Sequence, residues 1–174
     1  MGYELSVESP EDGWEVEALL DTAFAPGRTS LSSYRLRAGP PVVPLCHVAR
    51  DELGILAGAI RFWPVRVGGS PVLLLGPVAV HPTRQGEGLG ALLIEESLSG
   101  ARADWDRVLL VGDADYYRRF GFRRLHAVTM PPPTDPDRVL GRELSPGAWA
   151  GVEGPVLPWN RLDPSGVPPG EDRA

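Results

Sequence analysis

The 174-residue chain contains no lysine; all 17 of its basic residues are arginine. That excludes a Schiff-base lysine and the lysine with which a P-loop reaches a nucleotide phosphate. The single cysteine, Cys46, excludes an internal disulfide framework and a metal site built from several thiols, and no metal is expected. No apolar run approaches the roughly 18 residues that a membrane span requires. The stretch Met1–Pro10 has neither the basic start nor the apolar centre of a signal peptide. A cytoplasmic protein with no membrane partner is the expectation. The net charge of −6 and isoelectric point of about 5.1 argue against nucleic acid, whose binding draws on a dense cationic surface.

What is present is a chain of ordinary globular composition, 43% hydrophobic and 23% charged, cut into short elements by 21 glycines and 19 prolines. The length suits one domain, expected over residues 1–162, followed by a polar, Pro/Gly-rich flexible tail over 163–174. Tyr3–Val7 reads as a short strand. Asp12-x-x-Glu15 reads as a capping box for a helix carrying Trp14, Val16, Leu19, Leu20 and Phe24 and stopped by Pro26-Gly27. Ser30–Arg37 reads as a second short helix. Leu45–Arg50 and Ile55–Trp63 read as a hairpin around Asp51–Gly54.

Val72–Val80 is almost unbroken in apolar residues, as a central strand would be. Gly76-Pro77 interrupts it, and proline cannot donate to a ladder, so a bulge or splay is expected there. A helix follows over about Gly88–Ser99, with Leu89, Leu92 and Leu93 on one side and Ala91, Ile94 and Leu98 on the other. Val108–Val111 is a further strand. Asp113 is placed to cap a short helix bearing Tyr116, Tyr117 and Phe120, which Gly121 ends. Val139–Leu144 and Gly154–Leu157 read as late strands, the last an apolar strand on which a homodimer could form. The pattern predicts an α/β fold of mixed α+β character around one sheet.

The chemistry concentrates in Val78–Gly90, a buried strand, a polar turn, then glycines opening a helix. The first N–H groups of a helix lack internal partners and face a positive dipole end. Glycines there let a phosphate approach the backbone. A tight turn that binds nothing is the alternative. The order Gly86-Glu87-Gly88-Leu89-Gly90 is not the Gly-x-Gly-x-x-Gly dinucleotide fingerprint, and hairpin strands rather than a βαβ unit precede it.

Gln85-Gly86-Glu87-Gly88-Leu89-Gly90 resembles the Gln/Arg-x-x-Gly-x-Gly/Ala signature of the GCN5-related N-acetyltransferases (GNAT). Val78-Ala-Val-His-Pro82 is similar to the strand that precedes that signature. Tyr117-Arg-Arg-Phe-Gly-Phe122 is similar to the family's Tyr-x-x-x-Gly-Phe segment. Leu74-Leu-Gly-Pro77, Gly112-Asp113 and the glycines at 147, 151 and 154 resemble the bacterial YhbS-type subgroup. The resemblance implies a mostly antiparallel sheet splayed between its fourth and fifth strands, with helices on both faces. It implies acetyl-CoA as cofactor, with amides of Gln85, Gly86, Glu87, Gly88, Leu89 and Gly90 on its pyrophosphate. Backbone groups of the Val78, Ala79, Val80 segment would lie along the pantetheine arm. It implies acetyl transfer to an amine of a small molecule or a protein. A non-catalytic CoA sensor or docking module on the same fold is the rival reading.

For catalysis the resemblance implies that Tyr117 serves the departing thiolate, with Tyr116 as the fallback. A phenol of ordinary pKa about 10 is a proton donor at neutral pH. A backbone N–H such as that of Val78 would serve the oxyanion. Leu73–Val78 offers no carboxylate as general base. His81 reads as a turn residue and His47 and His126 as structural. Asp113 and Asp115 read as helix-capping residues. Arg84, Arg118 and Arg119 are candidates for CoA phosphates. Cys46 reads as a small buried residue. Trp63, Trp105, Trp149 and Trp159 read as core or subunit contacts, with Trp63 and Trp149 also candidates to wall an acceptor pocket. The early helices and residues 131–136 are expected to border that pocket.

Overall fold

The computed structural model describes residues 2–24, 32–37 and 39–159. Pro26-Gly27, Ser30, Leu31 and the 163–174 tail lie outside them. β1 (Glu4–Val7) leads through a short 3-10 turn into α1 (Gly13–Phe24). The capping box sits one turn earlier than the sequence suggested. The backbone N–H and hydroxyl of Ser9 both donate to Asp12 Oδ2, at 2.8 and 3.0 Å. Asp12 and Glu15, spaced to share a helix side, instead receive the Arg50 guanidinium at 2.7 and 3.0 Å. Residues Ser32–Leu36 form a 3-10 turn rather than an α-helix.

β2 (His47–Arg50), β3 (Leu56–Val67) and β4 (Ser70–Val80) form an antiparallel meander, and β1 pairs with β2. β3 runs four residues beyond its expected end, straight through Pro64. Phe62 explains this. Its N–H meets Cys46 Sγ and its carbonyl accepts from Val42 N–H, so both face away from β4. Two residues on, the N–H that Pro64 lacks would face the same way. There β2 has already left off at Ile60 and the late strand β9 (Gly154–Pro158) joins only at Val65. The proline removes a donor that had no partner.

α2 (Leu89–Ala101) returns the chain to β5 (Arg107–Val111), which runs parallel to β4. α3 (Ala114–Tyr117) and a 3-10 turn lead to two-residue strands β6 (Arg123–Arg124) and β7 (Val128–Thr129), which the sequence did not reveal. β8 (Val139–Glu143) pairs with β5 and β6. β9 is not a free apolar edge: it pairs with β7 through Gly154 and Pro155 and with β3 through Val156–Pro158. No helix among the described residues is long and apolar enough to cross a membrane.

The two faces of the sheet are covered differently. α2 buries Leu89, Leu93, Ile94 and Leu98 against Phe62, Leu73 and Leu75. Leu92, expected on a buried side, is 41% exposed. The other face packs Val16, Leu19 and Leu20 of α1 on Ala59 and Ala79, and farther along packs Leu36, Trp149 and Met130 on Val72 and Leu74. Burial on the order of 1.5–3 kcal/mol per large apolar side chain is what holds both layers to the sheet.

Candidate active site

The site begins as an irregularity in β4. Ile60 pairs with Val78 and Phe62 with Leu75, so Arg61 alone opposes both Gly76 and Pro77. This is the bulge expected at Gly76-Pro77, and one extra residue reverses the side-chain alternation. Leu73 and Leu75 face α2 before it; Val78 and Val80 face α2 after it, and Ala79 faces α1. Arg61 is itself fixed by Glu8 at 3.0 Å and Glu17 at 2.7 Å.

The second irregularity is a separation. β4 and β5 pair through Leu73–Val108 and Leu74–Leu109 alone. From Leu75 onward that side of β4 has no strand partner among the described residues. His81 N–H donates to Ala57 O at 2.8 Å, so by alternation Ala79 addresses β3, while the amides and carbonyls of Val78 and Val80 address the open side. These half-buried donors and acceptors face the cleft and are free to pair with an extended ligand.

A cleft of ≈ 640 Å³ occupies the gap and passes between the two sheet faces. On the α2 face it is walled by Leu110, Tyr116 and Tyr117. On the α1 face it is walled by Phe24, Tyr34, Arg37 and Met130, with Arg138 at its rim. Trp63 and Trp149 do not wall it. Trp149 is packed with Val65 and Val156, its Nε1 donating to Arg142 O at 3.1 Å. Residues 131–136 flank the cleft through their neighbours Met130 and Arg138 rather than line it.

Tyr117 is placed by a chain of local signals. Asp113 Oδ1 accepts from Asp115 N–H at 2.9 Å and caps α3. Tyr117 N–H donates to Asp113 O, and Gly121, at φ 82°, ends the turn. The ring meets Tyr116, Phe120 and Phe122 at centroid distances of 4.9, 6.1 and 5.9 Å. Among the described residues its hydroxyl has no hydrogen-bond partner. Burial, with the neighbouring Tyr116 second, pushes its pKa up to about 12; the Arg138 charge opposes them. Tyr116 points elsewhere: its hydroxyl lies 3.6 Å from where a Cβ on Gly90 would sit, and Arg119 stacks on its ring at 4.6 Å.

Gly112 shapes this pocket. A Cβ there would lie 2.5 Å from Tyr117 Cε2, so the tyrosine ring occupies the space a side chain would take. Gly112→Ala is expected to displace the ring at a stability cost of about 1–3 kcal/mol; a melting temperature equal to that of the wild type would show that the pocket absorbs the added methyl group.

The glycine loop follows β4. His81 Nδ1 accepts from Thr83 N–H at 3.2 Å and closes the first turn. Gly86 and Gly88 have φ of 86° and 79°, and nothing lies within 4 Å of a Cβ built on either. The loop therefore presents bare backbone to open space at the start of α2, a cradle suited to an anion. It is braced from behind. Tyr3 Oη donates to Glu87 Oε2 at 2.5 Å, Arg84 Nη1 donates to Tyr3 Oη at 3.3 Å, and Arg84 Nη2 meets Asp51 at 2.5 Å. The N–H groups of Ile55 and Leu53, together with Arg84, hold the Asp51 carboxyl below the usual range. Arg84 thus braces the loop through Tyr3 and Asp51, and Arg118 is turned to Asp115 at 3.2 Å. Of the three candidate arginines, Arg119 stays beside the cradle through Tyr116.

The remaining candidates are structural in their surroundings. His47 Nδ1 contacts Leu45 O at 2.8 Å and Ser97 Oγ at 3.1 Å, and His126 is exposed. Burial pushes the Cys46 thiol up to about 11, far from a nucleophile's range. Arg37, Tyr34 and Arg138 were not identified from the sequence. They come from separate segments with no shared motif, and topology alone brings them together.

The acetyltransferase (GNAT) domain family matches residues 44–124. No curated protein matches the chain. Among solved structures the chain is similar to the GNAT family N-acetyltransferase YhbS of Escherichia coli in complex with CoA. The identity is 28% over 91% of this chain and 90% of that one, with TM-score 0.78. It is also similar to a GNAT family acetyltransferase from Brucella melitensis in complex with acetyl-CoA, at 28% identity over 93% and 99%, with TM-score 0.67. A domain match over residues 44–124, from just before β2 to the end of β6, and a fold shared over nine-tenths of the chain with two such enzymes make this chain similar to the GNAT acetyltransferases.

Proposed function

We propose that the chain is an acetyl-CoA-dependent N-acetyltransferase that moves the acetyl group directly to an amine, with Tyr117 as proton donor. The observation that carries the reading is the continuity of the bare loop at Gly86–Gly88, the unpaired edge at Val78 and Val80, and the Tyr117 hydroxyl beyond it. These are the three contacts that a long, phosphate-headed thioester would need in sequence. Acetyl-CoA supplies an acetyl group activated as a thioester.

The amides of Gln85–Gly90 would hold the pyrophosphate. The Val78 and Val80 backbone groups would align the arm as a strand is aligned, and the Val78 N–H would steady charge on the carbonyl oxygen. As the new C–N bond forms and the C–S bond breaks, the phenol gives its proton to sulfur; the proton shed by nitrogen returns to the phenolate through solvent. Burial keeps the phenol neutral until it is needed. Asp113, the carboxylate among the described cleft residues, is committed to capping α3, which supports an acceptor that arrives neutral rather than one deprotonated by a dedicated base.

Thermal shift with acetyl-CoA, CoA, ATP and NAD, paired with thiol release against amines, tests this. Stabilisation by the two CoA species alone, with amine-dependent thiol release, is the expected result. A CoA-selective shift with no release on any amine would favour a sensor. No CoA shift would overturn the reading.

A further inference from the structure

Arg37 lies on the α1-face mouth of the cleft, opposite the side from which the glycine loop and the open β4 edge lead in. Its guanidinium is fixed from two directions. Nε donates to Gly76 O at 3.1 Å, at the bulge itself, and the plane sits over the Tyr34 ring at 4.7 Å. Its Nη1 is buried with no hydrogen-bond partner. Among the described residues no carboxylate lies within ion-pair distance of it, and burial draws its pKa below the ordinary arginine value. Arg138, at the same cleft, also has no carboxylate partner among the described residues; the neighbouring Asp137 is turned to Arg124 at 2.7 Å.

An arginine remains charged in any protein environment, and an unneutralised buried charge is costly. Away from the cleft, Arg50 is matched by Asp12 and Glu15, Arg61 by Glu8 and Glu17, and Arg84 by Asp51, while the half-buried Arg66, Arg107 and Arg142 donate to backbone carbonyls. At the cleft, two guanidiniums are left without a counter-ion where a substrate would enter. A guanidinium whose Nε side is already occupied still offers donors in the fork geometry that suits a carboxylate.

We infer that the acceptor is an amine that also carries a carboxylate, which Arg37 receives, with Arg138 lending its charge, while the amino group points through the sheet toward Tyr117. This rests on the acetyltransferase reading and names its substrate class. It predicts selection by charge at one end of the acceptor and chemistry at the other. The aromatic and apolar walls, Phe24, Tyr34 and Met130, would exclude water from the ion pair and strengthen it.

The test is a thiol-release panel of α- and ω-amino acids, each beside its carboxamide and its phosphonate of equal length, with acetyl-CoA affinity measured separately by calorimetry. The expected result is that carboxylates exceed their carboxamides in kcat/KM by about tenfold or more, the worth of a charge-assisted pair. In Arg37→Gln that preference should collapse through KM, and Arg37→Lys should restore part of it, with acetyl-CoA Kd unchanged in both. The wild-type comparison stands even if a variant folds poorly. Equal turnover of carboxamides, turnover confined to neutral amines, preference for the phosphonate, or no acetylation of any carboxylate-bearing amine overturns the inference. Loss of acetyl-CoA binding in the wild type would instead strike at the acetyltransferase reading beneath it.

Discussion

Replacing Tyr117 by phenylalanine is expected to lower kcat for amine acetylation by about 10²–10⁴-fold, the usual worth of a positioned proton donor, while leaving acetyl-CoA affinity as it is. The ring fills a space bounded by Gly112, Tyr116, Phe120 and Phe122. Phenylalanine keeps that packing and removes one oxygen that has no partner among the described residues. Stability below pH 10 should therefore hardly change, and the loss should fall on the chemical step. The pH profile separates this from a packing defect. Burial raises the phenol to about 12, so the donor form is complete throughout the physiological range and contributes no basic limb to kcat. The acidic limb belongs to the acceptor amine, and Tyr117→Phe should lower the plateau without moving it.

The alkaline unfolding behaviour has a definite sign. The folded pKa lies above the unfolded value of 10.0, so between about pH 10 and 12 the unfolded chain binds fewer protons. Stability present below pH 10 is lost as pH rises through that window, and the phenylalanine variant should lose less of it. A kcat fall in Tyr116→Phe exceeding that in Tyr117→Phe would move the role to the neighbouring ring.

Much of this arrangement is legible in the sequence, and the reason is local. The apolar run Val72–Val80 reads as a central strand because it is buried on both faces. Its Gly-Pro interruption reads as a bulge because proline withdraws a donor. Gly86, Gly88 and Gly121 mark positive φ where chain direction changes, and Asp113 marks a helix start four residues before Tyr117. Each of these signals acts within a few residues of the feature it produces. The far mouth of the cleft has no such signal. Arg37 follows a short turn, Met130 precedes a proline run and Arg138 ends a 3-10 turn just before a late strand, and nothing in their neighbours says that they share one cavity. Trp63 and Trp149 are large aromatics near loops, but Trp149 is buried in the core cluster with Val65 and Val156, and Trp63 packs half-buried against that cluster. The two-residue strands β6 and β7 were invisible for a related reason. They are strands because β8 and β9 lie beside them, not because Arg-Arg or Val-Thr prefer extension.

Gly88→Ala is expected to weaken acetyl-CoA binding about 100-fold while leaving the protein folded. Two separate costs are involved. The first is conformational: at φ 79° an L side chain is disfavoured by roughly 1–2 kcal/mol, a loss a domain of this size tolerates. The second is steric, and it falls on the ligand alone. Among the described residues, apart from its chain neighbours, no atom lies within 4 Å of the added Cβ, so the methyl group would project into the space from which a pyrophosphate must reach the first N–H groups of α2. Each charge-assisted hydrogen bond lost there is worth about 1.5–3 kcal/mol. Gly68→Ala separates the two costs. Gly68 also has positive φ, 59°, and open space around its Cβ, but it lies in the turn at the opposite end of β4. It should lose similar stability and no acetyl-CoA affinity. Calorimetric titration of both variants, beside their melting temperatures, distinguishes a blocked cradle from a strained backbone. Equal affinity in the two would mean that the glycine loop is a tight turn and that the pyrophosphate is held elsewhere.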